Sequence, residues 1–110
     1  MLRLYADEAL TEPLQQVEVS GKKVHNIEMP SNKPGETVHG KFYILNDSPN
    51  TVENIQVLHN NGQVDFYYKD WVAPDGKVEV TVEWRAPIDL QDALALTFEI
   101  KADEVVKPRF

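Results

Sequence analysis

The chain has 110 residues, 42% of them apolar and 26% charged, the size and balance of one soluble globular domain. Eleven basic residues against 18 acidic ones leave a net charge of −7, which argues against a nucleic-acid binder, since phosphate neutralisation needs a Lys/Arg excess or a concentrated basic patch. There is no cysteine, so disulfides, thiolate metal sites, thiol nucleophiles and iron–sulfur clusters are excluded.

The opening Met1-Leu2-Arg3-Leu4-Tyr5 runs at once into Asp7 and Glu8. It lacks the apolar run of a secretory signal, and no segment nears the roughly 20 apolar residues of a membrane helix. The expectation is a chain made in the cytoplasm, with no membrane partner. Residues 2–5 suit a short strand, and 6–10 suit a single helical turn that Pro13 stops. Residues 14–19 and 24–29 read as two strands around Ser20-Gly21-Lys22-Lys23.

Pro34-Gly35 marks a turn, and 36–46 then alternates, with Val38, Gly40, Phe42 and Ile44 on one face. The run Asn46-Asp47-Ser48-Pro49-Asn50 consists of turn formers. Strands follow at 52–59, with Ile55 and Val57 on one face, and at 64–68 after Asn60-Asn61-Gly62. Ala73-Pro74-Asp75-Gly76 is a further turn. In 77–85, Val78, Val80, Val82 and Trp84 alternate strictly with polar residues, and in 94–102 Leu94, Leu96, Phe98, Ile100 and Ala102 do the same. These last two strands are expected to pair antiparallel across the short connection 86–93. The whole reads as an all-β antiparallel sandwich of about seven strands with an extended N-terminal segment. Residues 1–13 form an arm or edge strand, 14–104 the sandwich and 105–110 a tail.

Catalytic chemistry finds no foothold. His25, His39 and His59 have no metal-ligand spacing and read as isolated surface histidines. Asp7-Glu8 and Asp103-Glu104 are sequence neighbours, which point apart on a strand and read as solvated charges. Asp47, Asp65, Asp70 and Asp75 lie near loops without the spacing of a calcium loop. None of Ser20, Ser31 and Ser48 sits in GxSxG, and no phosphate-cradling loop occurs. Asn46-Asp47-Ser48 is a formal glycosylation sequon, followed by Pro49 and read as chance. No catalytic residue, metal or cofactor is predicted.

Two features remain as contact candidates. The run Asp65-Phe66-Tyr67-Tyr68-Lys69-Asp70-Trp71 must expose some of its aromatics. Tyr68 and Trp71 are the ones singled out, for a protein partner or a surface glycan, while Trp84 and Phe66 fit the core. At the termini, Leu2, Leu4, Tyr5, Leu10 and Phe110 need burial. They either add edge strands to this domain or reach a neighbouring subunit by strand addition. In the second case residues 1–12 are removable without loss of the fold.

The stretch from Lys33-Pro34-Gly35-Glu36-Thr37-Val38 through Phe42-Tyr43-Ile44-Leu45-Asn46-Asp47-Ser48 to Val52-Glu53-Asn54-Ile55-Gln56-Val57 resembles immunoglobulin-like modules of the bacterial and phage type. Ala73-Pro74-Asp75-Gly76-Lys77 and the strand after it look like the later turn and strand of the same modules. The similarity covers about residues 30–102 and departs from antibody domains in lacking both cysteines. The opening phrase Leu4-Tyr5-Ala6-Asp7 resembles the start of small tailed-phage virion proteins of this type. The resemblance implies a non-enzymatic virion accessory, such as a capsid decoration protein. Its partners would be major capsid or tail subunits, with a homo-oligomer and weak host-glycan contacts allowed. A tail or neck accessory, or a glycan-binding or adhesion module, is the alternative.

Overall fold

The computed structural model describes residues 2–29, 35–85 and 94–105. Eight strands follow in order: β1 (Leu2–Tyr5), β2 (Gln16–Val19), β3 (Lys22–Met29), β4 (Thr37–Asn46), β5 (Val52–Leu58), β6 (Val64–Tyr67), β7 (Lys77–Arg85) and β8 (Leu94–Glu104). They form two four-stranded antiparallel sheets, β1-β4-β7-β6 and β2-β3-β8-β5. The architecture is an all-β sandwich, and every strand lies where alternation or turn chemistry predicts one. Among the described residues no helix is long and apolar enough to cross a membrane.

The pairing expected between 77–85 and 94–102 does not form. β7 is flanked by β4 and β6 in the first sheet, and β8 lies between β3 and β5 in the second. Alternation identifies the face a strand buries but not its hydrogen-bonded neighbour. Both strands bury an apolar face, so they meet across the core rather than edge to edge. Phe98 of β8 stacks on Phe42 of β4 with ring centroids 5.0 Å apart, and Phe66 of β6 lies 5.4 Å from Phe98. Around these rings Ile44, Val80, Val82 and Trp84 are almost fully excluded from solvent.

Two local devices make the faces fit. Gly40 is inward-facing on β4, and a Cβ there would meet Met29 Sδ of the opposite sheet at 3.0 Å. Glycine is what lets that thioether fill the layer between the sheets. In β5, Asn54 adopts φ +54° at a register shift between Glu53 and Gln56. The extra residue switches the inward parity, so that Val52 and Ile55 are both buried although three positions apart.

Compared with an immunoglobulin-type sandwich, whose sheets run A-B-E-D and C-F-G, β1-β4-β7-β6 follows the first order and β5-β8-β3 the second. One departure is large. The place of the last strand, G, is taken by β3, which precedes β4 in sequence. The β2–β3 hairpin closes through a two-residue turn, Ser20 at φ +53° and Gly21 at φ +78°. Between β1 and β2 the chain crosses from one sheet to the other: Leu14 N–H donates to Leu4 C=O at 2.9 Å, and Asn26 N–H donates to Gln15 C=O at 2.8 Å.

Asn46, expected as a turn former, is fully buried. Its Nδ2 donates to the carbonyls of Asn50 (2.8 Å), Val72 and Ala73 (both 3.2 Å). Its Oδ1 accepts from the Ser48 hydroxyl at 2.8 Å and the Ser48 N–H at 3.1 Å. A carboxamide so engaged is no glycan acceptor in the folded chain. Asn46→Ala leaves several buried groups unpaired and should cost about 2–4 kcal/mol, measured by urea unfolding; a loss below about 1 kcal/mol would contradict this role.

His25 is half-buried rather than an isolated surface residue. Its ring faces the core 5.7 Å from Phe98, and its Nδ1 is buried without a hydrogen-bond partner. Burial holds the imidazole below its ordinary value of 6.5, so the folded chain favours the neutral ring. That stability is present above the unfolded-state value and is lost as pH falls through it toward the lower folded value. Glu104 lines the same cleft. Hydrogen bonds from Asn50 and then Ser48 lower its pKa, so it stays ionised throughout that window. The stability of the chain should therefore fall more steeply from pH 7 to 5 than that of His25→Phe. Parallel profiles in pH-dependent urea unfolding would refute the assignment.

Candidate interaction site

The predicted contact residues separate in space. Leu2, Leu4 and Tyr5 lie on β1, an edge strand of the first sheet, whereas Tyr68 and Trp71 follow β6, the opposite edge. Leu4 is 6% exposed and belongs to the core, and Leu2 packs against that core. Tyr5 is half-buried, paired with Tyr43 and bridged to Pro13. Phe110 falls outside the described residues.

Of the two readings, the structure follows the edge strand added to this domain. β1 is in full register with β4, from Leu2 opposite Asn46 to Tyr5 opposite Tyr43. The loop behind it is organised by Asp7, read from sequence as a solvated charge. Its carboxylate accepts from the N–H groups of Thr11 and Glu12, both at 2.9 Å, and from the Thr11 hydroxyl. The hydroxyl bond is the main reason its pKa is lowered. Ala6 N–H donates to Glu12 C=O at 2.8 Å and closes the loop. Leu10, half-buried with φ +60°, sits within this loop and not on a free arm. Lys77 Nζ ties the loop to β7 by donating to Glu8 C=O at 2.9 Å.

The other flank carries the exposed aromatics. After β6 the chain crosses toward β5 and lies along its outer edge. Val52 exchanges backbone hydrogen bonds with Val72, Ile55 N–H donates to Asp70 C=O at 2.9 Å, and Val57 N–H donates to Tyr68 Oη at 3.1 Å. Tyr68 is thus pinned, half-buried, as a cap on the β5 edge. Trp71 is 44% exposed, with Lys69 Nζ over its ring 3.7 Å from the centroid. This cation–π contact occupies one face that a sugar ring would need. Alternation turns Tyr67 outward, 53% exposed, and Leu58 at the end of β5 is 39% exposed. Neither was singled out from sequence, because aromatic content does not tell which member of Phe66-Tyr67-Tyr68 faces out.

The polar face of the first sheet is internally matched. Lys41 pairs with Glu79 and His39 with Glu83, both at 3.3 Å, and Arg85 contacts Asp65 and Glu83. At the sheet edge Arg3 pairs with Asp47 at 2.6 Å. This bond is the chief cause lowering the Asp47 pKa. Among the described residues no three His, Asp or Glu side chains gather as a metal ion would need.

The two aromatic roles separate experimentally. Trp71→Ala should change unfolding stability by no more than about 0.5 kcal/mol, as expected for an exposed side chain. Tyr68→Phe, which removes the cap on Val57 N–H, should cost about 1 kcal/mol. The reverse order in urea unfolding would show that the cap carries nothing. Compared with known proteins, this chain matches no family, no curated protein and no solved structure.

Proposed function

We propose that this chain is a non-enzymatic structural protein of a tailed-phage virion, decorating or stabilising the shell through protein–protein contacts. What supports the reading is the resemblance of residues 30–102 to phage-type immunoglobulin-like modules, together with one observation on the fold. Among the described residues the exposed large apolar side chains, Leu58, Tyr67 and Trp71, come from β5, β6 and the segment that follows β6. The opposite flank is occupied by the chain's own N-terminal strands. Aromatic side chains exposed along one flank are what partner contacts use, and repetition by symmetry turns many weak contacts into firm attachment.

The glycan-binding alternative draws less support, since Tyr68 is pinned and Lys69 covers one face of Trp71.

Quantitative mass spectrometry of purified particles tests the proposal. A copy number comparable to the shell protein is expected, and Tyr67→Ser/Trp71→Ala should lower occupancy by about tenfold or more with folding intact. A few rings' worth of copies would move the chain to neck or tail. Absence from particles would sink the reading.

A further inference from the structure

We propose that residues 2–29 form an exchangeable unit, and that two copies of this chain assemble by swapping it. In the pair, β1, β2 and β3 of each copy would complete both sheets of the other. The inference goes beyond the virion reading and does not depend on it.

The topology carries the argument. β1 adds to β4 in one sheet, and the β2–β3 hairpin adds to β8 in the other. The two additions lie on the same flank, since Pro13 bridges to Tyr5 on β1 while Gln15 bonds Asn26 on β3. Without residues 2–29 the rest is β4-β7-β6 over β8-β5, with the adjacent edges of β4 and β8 unpaired. Those edges need a donor. A donor from a second copy presents the same backbone groups in the same register, so exchange requires no new complementary surface. Residues 30–36 connect the unit to β4.

The unit is held less securely than the body. β1 and β2 have four residues each, as does β6 of the body, and β3 meets β8 at five paired positions against the nine of β4 with β7. His25, on the strand that pairs with β8, leaves Nδ1 buried and unpartnered. Each feature lowers the cost of local opening at this flank relative to the core.

The test uses the full chain. Concentrated protein is warmed to just below its unfolding midpoint, cooled and analysed by size exclusion with light scattering; a dimer that persists on dilution is expected. Asn26 and Thr97 stand directly opposite across β3 and β8, and Asn26 N–H points away from β8, toward Gln15. This is a non-hydrogen-bonded pair, with Cα atoms about 4.5 Å apart, within disulfide reach. The chain has no cysteine of its own, so Asn26→Cys/Thr97→Cys reports cleanly. Oxidised as a monomer, this variant should no longer dimerise; oxidised within the dimer, it should run as a covalent dimer on non-reducing electrophoresis. Isotope-filtered contacts between Ile27 and Leu96 in a mixed-label dimer of the unaltered chain give the same reading without any variant. Failure to dimerise, or an oxidised dimer that runs as single chains, would overturn the proposal. So would Ile27–Leu96 contacts found only within one copy.

Discussion

The buried carboxamide of Asn46 is the point on which the two layers depend. It ends β4 of the first sheet and holds the carbonyls of Asn50, Val72 and Ala73, while Ser48 fills its oxygen. Val72 in turn exchanges backbone hydrogen bonds with Val52, at the start of β5 in the second sheet. One side chain therefore fixes how the chain leaves one sheet, enters the other and returns toward β7. A buried amide of this kind is stabilising only when all its hydrogen-bonding capacity is used. Here both ends of the amide are engaged, so the connections at this end of the sandwich form as a unit.

The second constraint is lateral closure. A sandwich of two antiparallel sheets has four edges, and each exposes unpaired backbone groups. On one flank the segment after β6 covers β5, using Asp70, Val72 and the hydroxyl of Tyr68. On the other, residues 2–29 supply an additional strand to the first sheet and a hairpin to the second. The strand that an immunoglobulin-type sandwich places last is supplied here from upstream. The N-terminal segment is thus a structural part of both layers, and the flank of β5 and β6 carries the exposed aromatics.

These constraints also explain why the contact residues predicted from sequence divide as they do. Leu4 and Leu14 are apolar because they close the core. Tyr68 is aromatic and polar at once because its ring packs against the core while its hydroxyl caps an edge amide. Trp71 stays exposed because the adjacent Val72 takes the inward position. The residues left exposed, Tyr67 and Trp71 with Leu58, became recognisable only after the core had been filled.

The eight strands themselves were legible in the chain. Val78, Val80, Val82 and Trp84 alternate because one face is wet, and such a period is a local property of a strand. Turn formers at 46–50 and 73–76 were equally plain. Neighbour relations were not, because alternation constrains only the face a strand buries. β7 and β8 were therefore expected to pair, although they lie in different sheets. The burial of His25 and Asn46, the organising role of Asp7 and the bulge at Asn54 all depend on residues distant in sequence or on a single backbone angle. The amino-acid pattern by itself determined an all-β chain, its strands and their inward faces, since these follow from local periodicity and turn chemistry. Tertiary structure alone decided which edges met, which polar groups were buried and which aromatics remained outside, because those outcomes follow from how two layers close on each other.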